Sequence, residues 1–435
     1  MRRIVLAAVA ITLLGPTALT AETAFDDFFV DGADGALRID LIHTGTKGEE
    51  RFSLDEVIRE PTWAGNPKRL IDNNNLGAYL LRVFDATTNE LIFSRGFGSL
   101  FWEWLSTEEA ASGAWRSMHE TVRMPWPKRP VQVTIAARGE QGMFREIYGI
   151  VVDPASHLIS RERKRRDVEI VVLAENGPPA EKVDVLIIAD GYGAGDREKL
   201  MADLERFASV FFSTSPFREL RDRINLRGAA ALSADTGPDE PRKGLFADTA
   251  VGTNFNTFDS PRYLTTHENR AMRDIAANVP CDAILIMVNS SRYGGGGIFN
   301  LWAVFTTDNE YDGYLMMHEF GHSFAGLGDE YYTSSTSYDD FYPKGVEPWE
   351  PNVTALLDPE HPKWESMLTA GVPLPTPEDA EKYPPPTVGA FEGAGYVAKG
   401  LYRPSIDCMM FSKGNQPYCP VCRAAVERMI RFHSE

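Results

Sequence analysis

Two histidines and a glutamate with metal-binding spacing stand near residue 320 of this chain, in the segment DGYLMMHEFGHSFAGLGDEYY from Asp312 to Tyr332. His318 and His322 are four residues apart, so on a helix both imidazoles project the same way and can bind one cation. Glu319 lies beside them in the sequence. This HExxH spacing predicts that the histidines bind Zn²⁺ and that Glu319 is the general base to a metal-activated water.

The residues around this motif predict a short helix with one apolar face. Asp312 is expected to cap its N-terminus and Gly326 to end it. An apolar stripe would pack on a core while the histidines face the other way; it comprises Met316, Phe320, Phe324 and Leu327. The alternative is a surface helix whose two histidines are simply solvated.

A catalytic zinc site needs a third protein ligand and one open position. In the metzincin pattern HExxHxxGxxH, a glycine takes the chain out of the helix and the ligand follows three residues later. Here Gly328 stands at the ligand position and cannot coordinate, whereas Gly326 comes one place late and Asp329 follows it by three. We therefore predict Asp329, with Glu330 as the alternative. A glutamate from a separate helix, as in thermolysin-like enzymes, stays open.

Several stretches resemble the IgA peptidase family of zinc metallopeptidases. They are HEFGHSFAGLGDEYY at the zinc motif, VDVLIIADGY near 183, SRYGGGGIFN near 291, and GLYRPSIDCMM followed by YCPVC near the end. The resemblance is close over roughly the last 270 residues and looser before them. It implies a secreted bacterial zinc endopeptidase with a metzincin-like catalytic domain, with His318 and His322 as ligands and Glu319 as base. It does not imply that immunoglobulin is the substrate.

Composition and charge limit the classes of function. A chain of 435 residues with 43% hydrophobic content can form two domains with ordinary cores. The formal charge of -18 repels phosphate backbones and anionic lipid, which argues against nucleic acid and membrane surfaces as partners. Beyond the N-terminus no run reaches about 18 apolar residues, so we expect no membrane span in the mature protein.

The N-terminus predicts export, and the region after it predicts a β domain. Residues 1–21 combine a basic start, an apolar run from Ile4 to Leu14 and the small residue Ala21, as a secretory signal peptide does. We expect a periplasmic or secreted protein. Residues 22–160 are predicted to form a β-sandwich-like domain. Its alternating segments are Ala36 to His43, Gly77 to Phe84, Leu91 to Gly96, Pro130 to Ala137, and Tyr148 to Asp153.

Residues 161–435 are predicted to form a metzincin-like α/β/α zinc peptidase domain, which makes the chain α+β overall. The basic run RERKRR at 161–166 marks the junction, either as a solvated linker or as a protease-sensitive activation site. Strands and helices then alternate. The strands are Val168 to Leu173, Val183 to Ala189, Asn225 to Leu232, Ala283 to Val288 and Ile298 to Thr307; the helices are Arg197 to Phe212, His267 to Val279 and Val421 to Phe432.

Two loops could assist the site. The glycine run from Gly294 to Gly297 precedes the strand beside the zinc helix, and an edge strand there could pair with an extended peptide or protein substrate. An ordinary flexible loop is the alternative reading. Asp190-Gly191-Tyr192 at a strand end could bind an auxiliary cation such as Ca²⁺, although a turn explains it more simply.

Further candidate functional residues are four tyrosines, a methionine and the cysteines. Stabilisation of the tetrahedral oxyanion is assigned to one of four tyrosines, Tyr331, Tyr332, Tyr402 or Tyr418. Cys408-Met409-Met410 resembles the methionine turn of metzincins, with Met409 favoured beneath the histidines. Export permits a disulfide among the cysteines 281, 408, 419 and 422, Cys419-Pro-Val-Cys422 resembles a redox CxxC, and a four-cysteine zinc site is disfavoured.

Taken together, the residues predict a secreted zinc-dependent endopeptidase that hydrolyses peptide bonds with a metal-activated water and Glu319 as general base. Two other classes stay open. One is a secreted binding protein with a structural zinc, and the other is a zinc amidase acting on cell-wall peptides. Cleavage specificity, oligomeric state and any activation step are not encoded in these motifs.

Overall fold

The computed structural model describes residues 24–139, 141–332 and 341–435, so the predicted signal peptide at 1–21 lies outside the described residues. Helices and strands are mixed along the chain. The helices are α1 Phe25–Phe28, α2 Leu100–Trp104, α3 Glu108–Ala111, α4 Arg197–Ser213, α5 Asn269–Ala276, α6 Asp312–Ala325 and α7 Pro420–Ser434. None of these helices in the described part of the chain is long and apolar enough to cross a membrane.

The N-terminal region consists of two antiparallel sheets around one core. Its strands are β1 Ala36–Thr46, β2 Glu49–Glu60, β3 Tyr79–Asp85, β4 Leu91–Phe97, β5 Arg116–Pro125, β6 Val131–Arg138 and β7 Phe144–Val152. They form sheets of order β2-β1-β5 and β4-β3-β6-β7. Inward residues of both sheets, such as Ile39 and Ile135, share one buried cluster. The predicted strands of this region are confirmed, but β2 and β5 were not predicted because charged residues interrupt their alternation.

A six-stranded sheet organises the second half of the chain. Its strands are β8 Glu169–Ala174, β9 Val183–Asp190, β10 Ile224–Ala230, β13 Ala283–Val288, β14 Gly295–Ile298 and β15 Trp302–Thr306, in the order β14-β15-β13-β9-β10-β8. The four inner strands are parallel, and the two edge strands are antiparallel to their neighbours. Two short hairpins complete the strands: β11 Thr253–Asn254 with β12 Thr265–Thr266, and β16 Phe391–Ala394 with β17 Val397–Arg403.

Helices cover both faces of this sheet, which explains why residues 185–189 in the middle of its central strand β9 are all apolar, with the buried Asp184 and Asp190 near its two ends. In β9, Val185 and Ile187 pack in the cluster that includes α4, α6 and α7. The alternate residues Leu186 and Ile188 point to the other face, where they pack with α5 and with α2 from the N-terminal region. A strand whose middle is buried on both faces does not alternate between apolar and polar residues there, as β9 shows.

The structure corrects two details near the predicted zinc helix. The strand predicted from Ile298 to Thr307 is a hairpin of β14 and β15, which turns at Asn300 in a left-handed conformation with φ of 54°. Asp312 is the first residue of α6 instead of its cap, and its carboxylate accepts a hydrogen bond from Arg206 at 2.6 Å. Gly326 ends the helix as predicted, with φ of 65°.

Candidate metal centre

Helix α6 presents the HExxH residues to a cleft because its opposite face is fixed in the core. Met316, Phe320 and Phe324 are buried against the central sheet, α4 and α7. His318 and His322 therefore project from the other face toward the cleft, with Glu319 beside them. The ligand atoms of these three residues all lie within 4.8 Å of one another.

Asp329 joins the two histidines and completes a triangle of candidate ligand atoms. The two Nε2 atoms are 3.2 Å apart, and Asp329 Oδ1 lies 3.1 Å from that of His318 and 3.3 Å from that of His322. In a tetrahedral zinc site with bonds of about 2.0 Å, neighbouring ligand atoms lie about 3.3 Å apart. The triangle therefore has the dimensions of one face of such a tetrahedron.

The other ring nitrogens are held by backbone carbonyls, which orients both imidazoles. The Nδ1 of His322 donates to Leu327 O at 2.6 Å, and the Nδ1 of His318 donates to Met409 O at 3.1 Å. A histidine that donates from Nδ1 keeps its Nε2 lone pair for a metal. The backbone after α6 and the turn at Met409 thus select the metal-binding tautomer.

The two oxygens of the Asp329 carboxylate have different surroundings: one accepts a hydrogen bond, and the other faces the histidines. Its Oδ2 accepts a hydrogen bond from Tyr396 at 2.5 Å. Its Oδ1 is buried and receives no hydrogen bond from the described residues, although it faces both histidines. A buried oxygen without a donor, facing two ring nitrogens, fits a cation ligand.

Glu330, the alternative third ligand, does not face the histidines. Its Oε1 accepts a hydrogen bond from Asn352 at 2.9 Å and lies 3.0 Å from the sulfur of Cys422. Asp329 thus faces the histidines, whereas Glu330 faces Asn352 and Cys422. The geometry therefore favours Asp329.

The cleft in front of the triangle has a volume of about 320 Å³ and is closed on one side by β14. Gly295 passes directly over Glu319, because a Cβ at this position would lie 2.8 Å from Glu319 Oε1. Glu319 is buried, and burial raises the pKa of its carboxyl group above its ordinary value. The glycine run is thus an edge strand and not a loop, and its lack of side chains makes room for Glu319.

Of the four predicted tyrosines, only Tyr331 lines the cleft. Its ring stacks at 6.5 Å from the ring of His318, and its hydroxyl accepts a hydrogen bond from Arg262 at 3.3 Å. Tyr332 donates to Glu378 at 3.3 Å, and Tyr418 donates to the carbonyl of Met317 inside the core. Tyr402 pairs with Thr354 away from the cleft.

The predicted methionine turn and the predicted cation site at Asp190 both differ from expectation. Met409 reaches His318 through its carbonyl, whereas the sulfur of Met410 lies 3.2 Å from the Cβ position of Gly321 on α6. Asp190 accepts hydrogen bonds from Val251 N at 2.9 Å, Thr249 Oγ1 at 3.0 Å, and both N and Oγ1 of Thr253. These donors occupy its oxygens, so the geometry supports a turn at Asp190 and not a Ca²⁺ site.

Several cleft residues were not singled out by sequence reasoning, because they come from distant segments. Arg262 and Tyr293 line the cleft, and Glu103 reaches it from helix α2 of the N-terminal region. Tyr263 donates a hydrogen bond to Glu103. Only Tyr293 carried a sequence signal, since it immediately precedes the glycine run.

Glu103 is expected to make stability depend on pH. Desolvation raises its pKa from 4.5 to about 7, so the folded state binds its proton more tightly and loses stability as pH rises from about 4.5 through 7. In chelator-treated protein, Glu103→Gln should therefore melt about 2 °C or more above the wild type at pH 8 and close to it at pH 5. Scanning calorimetry at both values measures this. An equal difference at the two pH values would contradict it.

Comparison with known protein families shows to which class this protein belongs. Residues 171–384 and 379–430 match the family described as IgA Peptidase M64, and residues 24–149 match Peptidase M64 N-terminus. No curated protein matches the chain. The protein is a peptidase, which acts on a peptide or protein. Because the matched segments span well over half of its length, the chain belongs to the IgA Peptidase M64 family.

Proposed function

We propose that this peptidase is a zinc-dependent endopeptidase in which His318, His322 and Asp329 hold the ion and Glu319 is the general base. The supporting observation is the triangle of Nε2, Nε2 and Oδ1 atoms, with sides of 3.1 to 3.3 Å, at the floor of an open cleft. Three ligands facing a cleft leave one position for water or substrate, as catalytic zinc sites do.

The chemistry divides between the ion and the chain. Zinc, when bound, acts as a Lewis acid on the scissile carbonyl and lowers the pKa of water. Glu319 accepts the proton of the attacking water and passes it to the leaving amine, and a pKa raised by burial brings this base closer to the working pH. Tyr331 is proposed to donate to the developing oxyanion, and Arg262 holds its hydroxyl.

Strand β14 is proposed to hold the substrate backbone. Gly295 already pairs with the segment from Arg262 to Leu264, and Phe299 O accepts from Gly98. Alternate residues of a strand direct their backbone N–H and C=O groups to the same side. The N–H and C=O of Gly297, between Gly295 and Phe299, therefore point away from β15 and can pair with a substrate. An extended peptide paired there passes beside Glu319. Recognition of backbone instead of side chains suits an endopeptidase.

The wider architecture is part of the same proposal. A signal peptide at 1–21 precedes a β-sandwich-like domain at 22–160 and a metzincin-like peptidase domain at 161–435, and the mature protein is periplasmic or secreted. The two antiparallel sheets on one core and the helices on both faces of the parallel sheet support this division. Glu103 from the first domain lines the cleft, which gives that domain a part in substrate positioning.

The test uses purified full-length protein, zinc analysis and two substrates, casein and purified cell wall. Cleavage of casein at internal bonds, lost on chelation and restored by zinc, would support the proposal. Bound zinc without cleavage of either substrate would instead indicate a binding protein with a structural zinc. Release of cell-wall peptides with casein intact would indicate an amidase.

The close passage of β14 over Glu319 gives a separate prediction. Gly295→Ala places a Cβ 2.8 Å from Glu319 Oε1 and 2.9 Å from Val304 O, so the base must shift. Misplacement of a catalytic group by about 1 Å can cost about 100-fold in rate, and we expect kcat to fall by at least about 10-fold with zinc retained. Gly195→Ala is the matched control, because nothing lies within 4 Å of its Cβ position. Equal kcat for the two variants would refute the role of this close approach.

A further inference from the structure

A second group of metal-ligand side chains lies behind the candidate zinc centre. It comprises Glu330, Cys408, Cys419 and Cys422, whose ligand atoms all lie within 4.8 Å of one another. All four side chains are buried, and the three cysteines are unpaired. The sequence disfavoured a cysteine zinc site because Cys408 has no CxxC partner, but folding supplies Glu330 as the fourth group.

We propose that these four residues form a second, structural zinc site. Three sulfurs and one carboxylate oxygen make a closed set of four ligands without an open position, which is the arrangement of structural zinc. This site is independent of the proposed hydrolysis, since none of its residues lines the cleft.

The surroundings of the carboxylate support a cation there. Glu330 is fully buried; its Oε1 accepts from Asn352 and from the sulfur of Cys422, and its Oε2 has no hydrogen-bond partner among the described residues. An ionised carboxylate buried beside neutral donors, with one oxygen unsatisfied, is costly unless it is paired with a charge or bound to a metal. A disulfide would use two sulfurs and leave the third thiol beside this carboxylate, whereas one zinc ion satisfies all four groups.

Backbone amides donate hydrogen bonds to two of the three sulfurs. Cys408 Sγ accepts hydrogen bonds from Cys419 N at 3.2 Å and Met410 N at 3.5 Å, and Cys419 Sγ accepts from Cys422 N at 3.5 Å. Cys419 is also the N-cap of α7, where the positive end of the helix dipole stabilises negative charge. Amide donors of this kind around sulfur are the outer contacts that thiolate metal sites use.

The position of the cluster gives it a structural role. Glu330 follows Asp329 directly, and its amide donates to Met410 O at 2.9 Å. Cys408 precedes Met409, whose carbonyl orients His318. An ion here would therefore tie together the segment that carries Asp329, the turn under His318 and the start of α7.

Native mass spectrometry and cobalt substitution of the full-length protein test the site. Zinc-loaded wild type should carry two ions per chain, and cobalt-loaded protein should show the near-ultraviolet charge-transfer absorption of thiolate bound to Co²⁺. The centre at His318 has no sulfur ligand and cannot give this band. Cys408→Ser and Cys422→Ser should lose the band and one ion. Cys281→Ser is the matched control, since Cys281 is buried and unpaired but lies outside the cluster. This variant should retain the absorption band and both ions.

The wild type alone decides the question if the cysteine variants fail to fold. A native mass lower by two hydrogens, which indicates a disulfide, would overturn the proposal, and so would cobalt loading without the thiolate band. His318→Ala combined with His322→Ala should lose the other ion and keep the band. A thiolate band without peptide cleavage would support the second zinc site and refute the proposed function. Peptide cleavage without the band would support the proposed function and refute the second zinc site.

Discussion

Replacing Glu319 with glutamine is expected to abolish peptide cleavage while zinc stays bound at His318 and His322. Glutamine keeps the size of the side chain beneath Gly295 but cannot accept the proton of water. General base catalysis contributes about 100-fold to 10,000-fold, so the residual rate should be below about 1% of the wild type. Glu319→Ala should give the same loss. The measurement is kcat on casein or a fluorogenic peptide, together with zinc content.

A control for this variant is Glu310→Gln, which removes an exposed carboxylate just before α6 and outside the cleft. It should keep full activity and zinc. Undiminished cleavage by Glu319→Gln would remove Glu319 from the mechanism. Loss of zinc together with activity would show instead that Glu319 contributes to metal binding, since its carboxylate lies within 4.8 Å of a nitrogen of each ring.

Asp329→Ala is expected to have the second large effect, on zinc affinity. It removes the third atom of the ligand triangle, the only one that carries a full negative charge. Loss of an outer contact to a ligand costs about 10-fold to 100-fold in affinity, so loss of the ligand itself should exceed about 100-fold. The measurement is the free zinc concentration that gives half-maximal activity in a chelator buffer, which reports the catalytic ion alone.

Two further variants make this series decisive. Tyr396→Phe removes the hydrogen bond to Asp329 Oδ2, and its affinity should fall by about 10-fold to 100-fold. Glu330→Gln removes the alternative ligand, and its half-maximal zinc concentration should change far less than that of Asp329→Ala. A larger effect of Glu330→Gln than of Asp329→Ala would contradict the assignment of Asp329 as the third ligand.

Much of the fold was predictable because local patterns encode it. The apolar stripe of α6, the left-handed glycine that ends it and the apolar middle of strand β9 each depend on residues close in sequence. Side-chain period and backbone conformation are local properties, so these elements could be assigned correctly before any contact was known. The glycine run at β14 fits either an edge strand or a loop by sequence alone, because glycine has low strand propensity and the role of the run depends on its distance from Glu319.

The sequence by itself determined the pair His318 and His322, the adjacent Glu319 and the helix that presents them, because one helical turn fixes their spacing. Only the tertiary structure decided that Asp329 and not Glu330 faces the histidines, that Tyr331 alone of four tyrosines lines the cleft, and that three cysteines meet a glutamate. The physical reason is that these contacts join segments separated by loops. Their distances are set by how α6, α7 and the turn at Met409 pack, and no local periodicity records that packing.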